Sequence, residues 1–149
     1  MRASRWIRST RAGSRLERLG RIPLFAACTG AELELIARNM TEHRMSPGEV
    51  LVQEGTVGRE FLVIAEGTAV VMVGDESIAR VGPGDFVGEI AMLDRGFRTA
   101  TVVAETDMVV EICGTSEFAV LLAGAPTLTR KLLVGLAQRL RTADERITA

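Results

Sequence analysis

The stretch Gly82-Pro83-Gly84-Asp85-Phe86-Val87-Gly88-Glu89-Ile90-Ala91-Met92-Leu93-Asp94-Arg95-Gly96-Phe97-Arg98-Thr99-Ala100-Thr101-Val102 breaks the pattern of the chain around it. Its flanks alternate short β-type runs with glycine turns, whereas Glu89 to Leu93 are fair-to-good helix formers without a break. One helical turn there leaves its first N–H groups unpaired and pointing outward, which suits an anion. Gly88 lets a ligand approach the backbone closely. Arg98 opens the next strand, where a guanidinium can hold a phosphate through two parallel hydrogen bonds. Glu89 would be repelled by that phosphate and is better used on neutral hydroxyls, such as those of a ribose. Phosphate and sugar held together describe a nucleotide. The simpler reading of Glu89 and Arg98 is an ion pair at a barrel rim.

Working outward, the runs on both sides read as strands: Glu49–Gln53, Phe61–Ile64, Ala69–Val73, Ile78–Val81, Thr99–Ala104 and Met108–Cys113. Glycine-rich turns separate them, and a spacing of roughly 8–12 residues predicts an antiparallel sandwich or jelly-roll barrel. His43 reads as a surface strand residue, and Glu105, Asp107 and Glu111 as a solvated face. Gly55-Thr56-Val57-Gly58 has a glycine spacing found in phosphate loops, but no Gly-Lys-Ser/Thr follows, so it reads as a turn.

At both ends the period becomes helical. Leu16, Leu19 and Ile22 share one face, and Pro23 closes that run. Thr29 is an N-cap with Glu32 as capping-box partner, ahead of a helix over about 30–40. Ser116–Leu122 is a short helix, and Pro126 fits the first turn of a longer one. That helix carries Leu133, Leu136, Leu140, Ala143 and Ile147 as an apolar seam, either for a second copy or as a lid on the pocket. The fold class is therefore α+β: an antiparallel β jelly-roll barrel flanked by N-terminal helices and a C-terminal helix. Residues 1–21 form a basic tail or first helix, and residues 22–149 form the domain.

The chain has 149 residues, 47% hydrophobic and 25% charged, with a formal net charge of −1. This is an ordinary globular composition with no global pull toward nucleic acid. One histidine argues against a metal-dependent barrel enzyme, which needs several ligands, and no metal is expected. The two cysteines, Cys28 and Cys113, read as packing residues in a cytoplasmic protein. No apolar run is long enough for a membrane span. High Ala, Gly, Val and Arg usage with one lysine suggests a GC-rich bacterium. Charge is nevertheless uneven: residues 1–21 hold seven arginines and one acid, against 11 basic and 18 acidic residues elsewhere. That start could be a targeting peptide, or touch RNA, an acidic partner or an anionic membrane with Trp6 and Ile7 as the foothold. The plainer reading is a solvated tail, or a basic helix lying on the acidic body.

Gly88-Glu89-Ile90-Ala91-Met92, a short loop, and then Arg98-Thr99-Ala100-Thr101-Val102 resembles the phosphate-binding cassette of the cyclic-nucleotide-binding domain family. Gly48, Gly55, Phe61, Ile64 and Gly67 match its turn glycines and strand core, and the likeness covers about residues 22–146. Phe97 stands where the family commonly has proline. The resemblance implies that Glu89 accepts a bond from the ribose 2′-hydroxyl. Gly88, Ile90 and Ala91 would form the phosphate cradle, Arg98 would pair with the cyclic phosphate, and Ala100 would add an N–H. Thr99 would lie beside the base, where threonine occurs in many cyclic-GMP sites. It further implies a non-catalytic sensor of a cyclic nucleotide, cAMP ahead of cGMP, that signals through its C-terminal helix to an unknown effector protein. A homodimer through that helix is one arrangement. No DNA-binding domain is expected within these residues. The alternative is a degenerate domain serving as a dimerisation or protein-interaction module.

Overall fold

The computed structural model describes residues 13–88 and 97–148, with backbone alone over 143–148. Helix α1 (Arg15–Arg21), a 3-10 turn (Pro23–Phe25) and α2 (Gly30–Asn39) lead into eight strands. These are β1 (Thr41–Met45), β2 (Val50–Val52), β3 (Glu60–Glu66), β4 (Ala69–Val73), β5 (Glu76–Val81), β6 (Phe86–Val87), β7 (Thr101–Ala104) and β8 (Met108–Gly114). Helices α3 (Thr115–Gly124) and α4 (Pro126–Thr148) follow. The strands form two antiparallel four-stranded sheets, ordered β1-β8-β3-β6 and β2-β7-β4-β5. The expected α+β jelly-roll arrangement is thus what the chain adopts.

The period of two in β3 divides the core. Leu62 and Ile64 point between the sheets with Leu51, Val102, Met108 and Val110. Phe61 and Val63 point to the other face, where the helices pack Leu19, Phe25, Ile36, Phe118, Leu121 and Leu128 over them. The Phe61 ring lies 4.6 Å from Phe118 and 6.0 Å from Phe86, so one aromatic run joins sheet and helices.

The same alternation corrects one expectation. Glu111 is not on a solvated face: it shares the helix side of β8 with Val109 and Cys113 and is 2% exposed. Arg15 reaches it from α1 with a bidentate pair, both N–O distances 2.7 Å, and also donates to Met40 O. Arg18 approaches Glu42 at 3.6 Å, so α1 meets two acids of the sheet, Glu111 and Glu42. Glu105 is solvated, paired with exposed Arg80.

The capping box at α2 forms as expected: Thr29 Oγ1 accepts from Glu32 N at 3.1 Å, and Glu32 Oε1 from Thr29 N at 2.9 Å. The second carboxylate oxygen accepts from Thr127 N at 2.8 Å, so Glu32 also caps the first turn of α4. These backbone donors hold the Glu32 carboxyl below its ordinary range, Thr29 N–H being the main cause.

The expected seam on α4 divides between the body and solvent. Leu128 and Leu132 are buried and Leu136 packs beside them, whereas Leu133 and Leu140 are exposed; Ala143 and Ile147 lie beyond the described side chains. His43 is an exposed residue of β1, a strand the sequence reading did not delimit. Burial pushes the Cys113 thiol up to about 12 and Cys28 to about 11, which suits packing rather than reactivity. Among the described residues no single helix is both long and apolar enough to cross a membrane.

Candidate functional site

The strand expected from Thr99 begins at Thr101, because the backbone just before it is held elsewhere. Arg98 N donates to Thr56 O at 2.7 Å and Arg98 O accepts from Gly55 N at 3.0 Å. The turn that resembled a phosphate loop therefore serves as a rail for the arginine. Thr101 Oγ1 fixes that rail by accepting from Glu54 N at 2.9 Å.

With its backbone fixed, the Arg98 side chain runs inward and is only 8% exposed. Nη2 donates to Glu60 O at 2.6 Å and Nη1 to Gly88 O at 3.2 Å. These two carbonyl dipoles orient the cation. A buried guanidinium is costly unless an anion or hydrogen bonds compensate it. Gly88 makes this placement possible. Its φ is +89°, and a Cβ there would overlap Arg98 Nη1 and stand 2.6 Å from Glu60 O.

Arg98 borders a cavity of about 300 Å³. Val52, Val71, Ala79, Val81, Val87 and Val102 supply apolar walls, and Gly88, Thr99 and Ala100 continue the Arg98 side. The structure thus gathers four of the expected site residues at one cavity. Glu89, Ile90 and Ala91 lie outside the described residues.

Two further lining residues, Phe86 and Arg139, were not among the expected site residues. Arg139 Nη2 donates to Phe86 O at 2.6 Å, and its guanidinium carbon stands 4.2 Å from the centre of the Phe86 ring. Gly135, one turn earlier, brings α4 close: a Cβ there would meet the ring at 2.9 Å. The signal in the sequence was an arginine on the inward stripe, since Leu132, Leu136 and Arg139 follow steps of four and three.

Among the described lining residues the charged groups are both cations, and none is a carboxylate, imidazole or thiol. The arrangement can hold an anion next to an apolar group. Among the described residues no cluster of three His, Cys, Asp or Glu side chains could hold a metal ion.

A family model for the cyclic nucleotide-binding domain matches residues 42–124. The cAMP-dependent protein kinase regulatory subunit of Hypocrea atroviridis is 31% identical over 76% of this chain and 24% of its own length. That of Colletotrichum orbiculare is 34% identical over 76% of this chain and 29% of its own. The chain therefore spans less than a third of these relatives. In structure, the Thermus thermophilus catabolite activator protein superposes with a TM-score of 0.75 at 27% identity, over 85% of this chain and 62% of that one.

Proposed function

This chain belongs to the cyclic nucleotide-binding domain family, and from that premise we propose that it is a non-catalytic receptor for a cyclic nucleotide, cAMP before cGMP. The observation that carries the proposal is the buried Arg98 guanidinium, aimed by Glu60 O and Gly88 O at the edge of a cavity with apolar walls. A cyclic phosphate offers that cation a bidentate partner, and a purine offers the valine walls a flat apolar face. The cavity volume is at the lower end of those that take small ligands, roughly 300–1,000 Å³.

In this reading Arg98 pairs with the phosphate, and the N–H groups of Ala91 and Ala100 donate to it. Gly88 and Ile90 complete the cradle, and Glu89 accepts from the ribose 2′-hydroxyl. Thr99 stands beside the base. We place cAMP first because the regulatory subunits with which the chain aligns are named for it. The output is α4: a ligand that alters the contact of Arg139 with Phe86 biases the helix between positions, and a partner protein reads the difference.

A melting experiment tests the receptor reading. Nucleotide at about 100 times its dissociation constant adds about 2.7 kcal/mol to stability. The melting temperature should rise with cyclic AMP and remain unchanged with adenosine, which lacks the phosphate. No rise with either cyclic nucleotide, in protein shown free of co-purified ligand, would leave the chain an interaction module with an unused pocket.

A further inference from the structure

Val52, Val102, Val71 and Ala79 form one cross-strand row over β2, β7, β4 and β5, and all four line the cavity. Beyond that row the sheet ends unevenly. The register of β4 with β7 ends at Met72 and Thr101, while β4 and β5 stay paired as far as Val73 and Glu76. The turn of this hairpin, Gly74-Asp75, therefore overhangs the sheet, and Val73 beside it is 43% exposed. A carboxylate reaches the overhang from the turn after β2: Glu54 Oε1 accepts from Gly74 N at 2.9 Å. Building on the receptor reading, we propose that Glu54 is a positioning residue for the nucleotide, tying the β4–β5 wall of the cavity to the backbone that seats Arg98.

The two ends of this tie are held in different ways. On the Glu54 side the anchorage is dense. Glu54 N donates to Thr101 Oγ1, Gly55 N to Arg98 O, and Arg98 N to Thr56 O. Thr56 Oγ1 also donates to Gln53 O at 2.6 Å, which closes the turn on itself. The Glu54 carboxylate thus projects from the same short turn that holds the Arg98 main chain. On the hairpin side, among the described residues, nothing lies within 4 Å of a Cβ built at Gly74. Hydrogen bonding rather than packing fixes the chain at that point. Behind it, β4 and β5 carry Val71, Ala79 and Val81 into the cavity. A ligand with a charged end on Arg98 and an apolar end on these walls needs both at a set spacing. A wall fixed in advance spares the binding step the cost of ordering it.

Titration with cyclic AMP of the native chain, Glu54→Ala and Glu54→Gln, each shown folded by its melting curve, tests the assignment. Glu54→Ala should bind about fivefold more weakly, the worth of one net hydrogen bond whose loss falls on the binding step. Glu54→Gln removes the charge but keeps an accepting oxygen, and should bind within about twofold of the native chain. In the ligand-free proteins, the Gly74 amide should exchange with deuterium about fivefold faster in Glu54→Ala than in Glu54→Gln. Affinity in Glu54→Ala equal to or tighter than that of a binding native chain would overturn the proposal and leave Glu54 a cap on a surface turn. Equal weakening in both variants would overturn it in favour of a charge effect. No binding by the native chain would refute the receptor reading itself, and this inference with it.

Discussion

Arg98 is a cation that the fold holds in place before any ligand arrives. Its main chain is fixed by Gly55 and Thr56 and its side chain by Glu60 and Gly88, so little rotamer freedom remains to be lost on binding. The weak point of this arrangement is Gly88. Gly88→Ala places a methyl group on the guanidinium and a side chain at φ +89°. We expect a loss of about 1–3 kcal/mol in stability, read by urea unfolding, from that backbone conformation and the displaced contacts. Nucleotide affinity should fall at least about tenfold with it, as one charge-assisted hydrogen bond is lost. Affinity unchanged in Gly88→Ala would mean that the exact seat of Arg98 does not matter. Gly88 and Arg98 were legible in the sequence because they flank a helix-forming break between strands and match the cassette of the family that the stretch resembles. Arg139 was not, because its importance depends on which side of α4 faces Phe86. Glu111 was misread for a related reason: charge alone suggested solvent, and only β8's alternation against helix α1 shows the side chain pointing inward.

Among the elements, the helices are joined to the sheet and to one another by a few buried carboxylates. The Arg15–Glu111 pair attaches α1 to β8. Arg15→Ala leaves a carboxylate that is 2% exposed without its cation. The expected cost in urea unfolding is about 3 kcal/mol, near the low end for a broken buried pair because Arg15 keeps 28% of its side chain exposed. Arg15→Met with Glu111→Leu should recover much of that loss, because the desolvation cost then disappears as well. A double variant as unstable as Arg15→Ala would contradict the ion-pair account.

Glu32 joins α2 to α4, and its effect on pH dependence has a definite sign. Its carboxyl is depressed in the folded state from an ordinary 4.5. The stability it contributes is therefore present above pH 4.5 and is lost as the pH falls through the lower folded value. Glu32→Gln should flatten the acid limb of the stability curve; an unchanged limb would show that other carboxylates govern it. The capping box was legible because Thr29 and Glu32 are three residues apart in sequence. The bond to Thr127 was not, since 95 residues separate the partners. Which face of α4 meets the body was not legible for a similar reason. Leu132 and Leu133 are adjacent, so periodicity alone allows either to face inward, and the close approach at Gly135 selects Leu132.

At the scale of the whole molecule, β-type runs between glycine turns, with helical periods at both ends, were enough to give the architecture. Each strand needs only local alternation and a turn to be recognised. What local pattern could not supply was the division of β3 and β8 between two cores, which depends on both faces of one sheet being covered. Nor could it supply the cavity, whose valines come from strands distant in the chain and look like any other core residues. The receptor function depends on this cavity receiving a cyclic phosphate on Arg98. Calorimetric titration with cyclic AMP and cyclic GMP, on the native chain and on Arg98→Ala, tests it most directly. Loss of a hydrogen-bonded charged partner is worth about 1.5–3 kcal/mol, so binding by the native chain should weaken at least about tenfold in the variant. Equal affinity in the two proteins, or no heat from either nucleotide with a folded and empty native chain, would contradict the claim.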